Sequence, residues 1–87
     1  VQLGRDVTLY PGTILQGSTT IGDGCEVEPD TRLVDCAVGD DAHVEHTVGR
    51  DSTIGAGAHV GPYAFLPEGS AVVAGSVTGA FYTAPGG

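Results

Sequence analysis

Side chains able to do chemistry are few in this 87-residue chain. Its imidazoles are His43, His46 and His59. His43 stands five places after Val38, and His59 five after Ile54. If the chain coils with a fixed period, the two rings fall on one corner of successive turns, about 5 Å apart, the strand spacing. His46 falls on the next side. A zinc site needs at least three ligands converging on one point, so these residues read as surface histidines at a corner and no metal ligand is assigned. The acids Asp23, Asp30, Asp35, Asp40, Asp41 and Asp51 sit between apolar positions. Asp side chains bond to nearby backbone in turns, so they read as corner residues rather than calcium ligands. Cys25 and Cys36 form no CxxC pair and read as small buried hydrophobes in a reducing compartment. Ser18, Ser52, Ser70 and Ser76 have no readable His–acid relay, and the glycines form no phosphate loop. No catalytic, cofactor-binding or metal-binding residue is therefore assigned.

The element that must carry these residues is set by a period of six. Aliphatics recur at Leu3, Leu9, Leu15, Ile21, Val27 and Leu33, then after a slip at Val38, Val44 and Val48, then at Ile54, Val60, Leu66 and Val72. A Gly often follows, as in Ile21-Gly22 and Ile54-Gly55, and a small residue stands four places on, as at Cys25, Ala37, Ala42, Ser52 and Ala58. The slip reads as one step of five residues and one of four. An amphipathic helix would instead place apolar residues at i, i+3, i+4 and i+7, and 15 glycines oppose it further. A short strand plus a corner fits six residues, and three such sides make a triangular turn. The expectation is an all-β, left-handed parallel β-helix of about four to five coils. It forms one domain over residues 1–87, with 78–87 as an irregular tail. Three faces follow: Leu3, Ile21, Val38, Ile54 and Val72; Leu9, Val27, Val44 and Val60; and Leu15, Leu33, Val48 and Leu66.

Composition narrows the partners. Lys+Arg number 3 against 11 Asp+Glu, for a formal charge of -8. That opposes nucleic acid and anionic membrane, which need clustered cations, and no apolar run approaches a membrane span. With 40% hydrophobic residues in regular recurrence, chain-wide disorder is excluded. A chain opening on Val1 rather than Met reads as a processed or truncated piece.

The repeat resembles the bacterial hexapeptide-repeat acyltransferases. Longer stretches are more specific: Val7-Thr8-Leu9-Tyr10-Pro11-Gly12-Thr13, Ile21-Gly22-Asp23-Gly24-Cys25, Ala37-Val38-Gly39-Asp40, Ile54-Gly55-Ala56-Gly57-Ala58 and Val60-Gly61-Pro62-Tyr63. From about residue 1 to 81 these resemble the early coils of the C-terminal β-helix of one family. It comprises the bifunctional N-acetylglucosamine-1-phosphate uridylyltransferase/glucosamine-1-phosphate acetyltransferases. The resemblance implies a cytoplasmic, trimeric, acetyl-CoA-dependent N-acetyltransferase domain serving UDP-N-acetylglucosamine and cell-wall synthesis.

Two departures bear on activity. The family's Leu-Arg-Pro-Gly stretch, whose Arg contacts the sugar phosphate, aligns with Leu66-Pro67-Glu68-Gly69. A family Lys after Gly-x-Phe is missing, because Gly79-Ala80-Phe81 runs into Tyr82-Thr83. The family's catalytic His and acetyl-CoA contacts lie downstream of the matching coils. The resemblance thus carries over no site residue and no cofactor to this chain, which is expected to be inactive alone. The alternative is a structural, self-assembling β-helix scaffold, natural or engineered. From Gly69 onward there is no charged residue, and only Pro85-Gly86-Gly87 offers a stop to strand pairing. A homo-oligomer is expected, either a trimer or an end-to-end assembly.

Overall fold

The computed structural model describes residues 1–83. Thirteen strands of two or three residues stack into three parallel sheets. The first sheet orders β1 (Gln2–Leu3), β4 (Thr20–Ile21), β7 (Ala37–Val38), β10 (Thr53–Ile54) and β13 (Ala71–Val72). The second orders β2 (Thr8–Leu9), β5 (Glu26–Val27), β8 (His43–Val44) and β11 (His59–Val60). The third orders β3 (Ile14–Gln16), β6 (Arg32–Val34), β9 (Val48–Arg50) and β12 (Phe65–Leu66). Every strand pairs with the strand three places on, so the chain climbs one rung per triangular turn. The molecule measures 30 × 23 × 21 Å.

Each strand is too short to bury a side of its own, so the coils satisfy one another. Gly4 N–H donates to the Ile21 carbonyl (2.8 Å), Gly22 to Val38 (2.9 Å), Gly39 to Ile54 (2.7 Å) and Gly55 to Val72 (2.8 Å). The glycine after each of these aliphatics is required by close approach: a Cβ on Gly22 would stand 2.7 Å from the Asp40 nitrogen of the next coil. Inside the triangle, Val27, Leu33, Val44, Ile54, Val60 and Leu66 are buried. A second inner column of small residues stands two places before each inward strand residue: Thr19, Cys25, Thr31, Cys36, Ala42, Thr47, Ser52, Ala58, Ala64 and Ser70. Their hydroxyls turn to backbone carbonyls, as Thr47 Oγ1 does to Glu45 (2.6 Å) and Ser52 Oγ to Arg50 (2.7 Å). No buried side-chain nitrogen or oxygen lacks a partner among the described residues.

The first two expected faces match the sheet registers residue for residue. The third needs correction. Leu33 pairs with Gly49 and Arg32 with Val48, and Leu66 also pairs with Gly49. Gly49 therefore faces inward and Val48 outward, 38% exposed. The slip is not a five and a four but three steps of five: Leu33 to Val38, Val44 to Gly49, and Gly49 to Ile54. A shortened coil brings its neighbours closer, and a Cβ on Gly49 would meet Leu33 Cδ2 at 3.1 Å and Cys36 Sγ at 3.3 Å. The same shift puts Cys36 in the small-residue column where Ala37 was expected; Ala37 is exposed. In the first coil, Leu3 and Leu9 are exposed and Leu15 is only half-buried.

Corners are held by residues with positive φ, aligned in columns. One column runs Asp6, Gly24, Asp41, Gly57 and Gly75; another runs Gly12, Asp30, His46, Tyr63 and Phe81; a third runs Gly17, Asp35, Asp51 and Gly69. Asp tolerates this region because its short side chain finds local backbone partners. Beyond β13, bridges from His59 to Val77 and from Phe65 to Thr83 continue the coil. The expected stop at Pro85-Gly86-Gly87 lies outside the described residues, and no helix among the described residues is long and apolar enough to cross a membrane.

Candidate functional site

Two of the three imidazoles, His43 and His59, meet on the outside of the second sheet. His43 lies in β8 and His59 in β11, so they are strand residues with outward side chains rather than corner residues. Their register is direct, His59 opposite His43. The rings stack with centroids 5.3 Å apart and planes 18° from parallel. His46 is the true corner residue, with φ 39°. It stacks on Tyr63 at 5.2 Å, and Tyr63 stacks on Phe81 at 5.2 Å, forming an aromatic column up one edge.

Sequence reasoning missed what surrounds His43. Its Nε2 contacts Glu28 Oε1 at 2.6 Å and approaches Glu45 Oε1 at 3.6 Å; its Nδ1 approaches Glu26 Oε2 at 3.4 Å. The signal was present in the pairing rows, Glu26 opposite His43 opposite His59. It needed the acids to be aligned along with the histidines. His43 and Glu28 are half-buried, with side-chain exposures of 26% and 21%.

The aspartates do corner work. Asp23 Oδ1 accepts the Arg5 N–H (2.7 Å), Asp40 Oδ1 the Asp23 N–H (2.8 Å), and Asp35 Oδ1 the Ser18 N–H (2.7 Å). The cysteines are free and buried. Cys25 Sγ donates to the Gly39 carbonyl at 3.0 Å and Cys36 Sγ to Val34 at 3.4 Å. Burial pushes both thiols above their ordinary range, against the opposing pull of backbone hydrogen bonds. The two positions that depart from the acetyltransferase pattern are structurally ordinary. Pro67 follows β12, and its carbonyl accepts from Ser70 N–H at 3.1 Å; Glu68 is exposed. An open groove at the first coil, lined by Val1, Gln2, Gly17, Ser18, Thr19 and Thr20, holds no titratable side chain.

Searching family models yields no match. Among solved structures, a hexapeptide transferase family protein from Anaplasma phagocytophilum superposes with a TM-score of 0.61 at 18% identity, covering 88% of this chain and 61% of that one. The chain is a left-handed hexapeptide β-helix. By sequence, this β-helix is 52% identical over 81 residues to bifunctional protein GlmU of Rhodococcus opacus, and equally so to that of Mycobacterium marinum. The match takes in 93% of the chain but only 16% of either relative's length. The β-helix thus resembles a segment of a hexapeptide-repeat acyltransferase.

Proposed function

We propose that this β-helix is scaffold from an acetyl-CoA-dependent glucosamine-1-phosphate N-acetyltransferase, a cytoplasmic enzyme of UDP-N-acetylglucosamine synthesis. The observation that carries this reading is the 52% identity to GlmU along 81 residues, a stretch that spans the shortened coils as well as the regular ones. Coils of 18 residues alone would support any hexapeptide protein; agreement through the irregular turns is more specific. In this reading the coils hold neighbouring subunits in register, and the chain itself does not acetylate. Pro67 and Glu68 supply no cation where an anionic sugar phosphate needs one, and Glu68 adds a like charge. Purified chain, incubated with acetyl-CoA and glucosamine 1-phosphate, is expected to release coenzyme A thiol no faster than buffer. Release above background that depends on the sugar phosphate would refute the inactivity.

A second reading, a self-assembling scaffold, is favoured by the first and last coils. Val73, Val77 and Phe81 are 74%, 75% and 78% exposed, and Leu3 and Leu9 are exposed in the first coil. In a trimer or an end-to-end assembly, these side chains would be covered by a further copy.

A further inference from the structure

The outer face of the second sheet carries an imidazole among carboxylates that the scaffold reading does not use. We propose that His43, Glu26 and Glu28 bind a divalent cation of the zinc class, with Glu45 close by as a further carboxylate. Parallel pairing places the donors. Glu26 and His43 are opposite one another on β5 and β8. Glu28 and Glu45 lie one row along, their own N–H groups bonded to Val44 and Val60 of the following coils at 2.7 and 2.8 Å. One donor atom each from Glu26, Glu28 and His43 falls within a 4.8 Å cluster.

Nε2 of His43 faces Glu28 at 2.6 Å and Glu45 at 3.6 Å. Donors around a tetrahedral ion with bonds of 2.0–2.1 Å lie about 3.3 Å apart, which small side-chain rotations reach. Nδ1 faces Glu26 at 3.4 Å. Electrostatics favour occupation. Three carboxylates meet one imidazole, and among the described residues no arginine forms an ion pair with them. The histidine selects the ion: imidazole suits zinc, copper and nickel, whereas calcium takes six to eight oxygens. The donors sit in or directly after strands, with the backbone fixed by neighbours on both sides.

The test is calorimetric titration of the full chain with zinc chloride, and separately with calcium chloride. One saturable zinc per chain and no calcium binding are expected. His43→Ala, Glu28→Gln and Glu26→Gln should each weaken zinc binding at least tenfold, as loss of one of three ligands does. His46→Ala, which removes a corner imidazole 3.9 Å from Asp30, should leave affinity unchanged. All four side chains point outward, and far-ultraviolet circular dichroism checks that each variant keeps the coil. Should His43→Ala unfold, Glu28→Gln decides alone. The proposal is overturned by no saturable zinc binding, by calcium binding as tight as zinc, or by His46→Ala weakening binding as much as the variants at the cluster.

Discussion

Cys25 and Cys36 show how residue chemistry follows position. Each occupies the small-residue column, where a thiol fills the space of a Ser or Ala and its proton goes to a carbonyl. Burial disfavours the thiolate, so both are expected to resist a thiol-reactive disulfide reagent at neutral pH until the coil is unfolded in denaturant. Immediate labelling of the folded chain would contradict the burial. A pH dependence follows. The folded thiols hold their protons above the ordinary value of 9.0, while unfolded thiols release theirs near it. Above that pH the unfolded state binds fewer protons, so stability is full below about pH 8.5 and falls as pH rises further. Urea unfolding at pH 7 and pH 10 should show the loss, and Cys25→Ala/Cys36→Ala together should flatten it. That the cysteines are buried was legible from their place in the repeat. The carboxylates around His43 were not, because Glu26, Glu28 and Glu45 fall at spacer positions, and only the parallel register brings the spacers of two adjacent coils together.

At the scale of the strand, the decisive residue pair is Val48 and Gly49. A pattern that looks for the nearest aliphatic selects Val48, and hydrophobicity gives no reason to prefer a glycine. Backbone pairing decides otherwise, since a strand is read two residues at a time and a slip of one exchanges inside for outside. The regular coils were legible because aliphatic and small residues repeat in phase; the shortened coils were not, because there the inward position is filled by no side chain. The register has a direct consequence. Gly49→Val should cost about 1–3 kcal/mol by overpacking against Leu33, Cys36 and Leu66, while Val48→Thr should change stability by less than about 0.5 kcal/mol, as at other surface sites. The opposite ranking in urea melts would restore the expected steps of five and four and refute the observed pairing. Away from the slip, Ile54→Asp should cost roughly 3–5 kcal/mol, because a carboxylate would stand inside the triangle with no partner.

The whole molecule is a column whose first and last coils both expose apolar side chains. Its last coil exposes Val73, Val77 and Phe81, while its net charge of -8 repels copies from one another. Association should therefore strengthen as salt screens the charge, since the Debye length falls from about 30 Å at 0.01 M to about 8 Å at 0.15 M. Sedimentation velocity at both ionic strengths measures this; a chain that stays monomeric in both at high micromolar concentration contradicts it. The central claim is that these coils are acetyltransferase scaffold with the sugar-phosphate contact removed. It is tested most directly by putting the 81 matched residues of this chain in place of their counterparts in the Rhodococcus opacus relative. The chimera is predicted to fold and to lose acetyltransferase turnover by about 10- to 100-fold, the weight of one charged hydrogen bond. Pro67→Arg/Glu68→Pro within it should recover most of that loss. A chimera that fails to fold, or one fully active with Pro67 and Glu68 in place, would contradict the account.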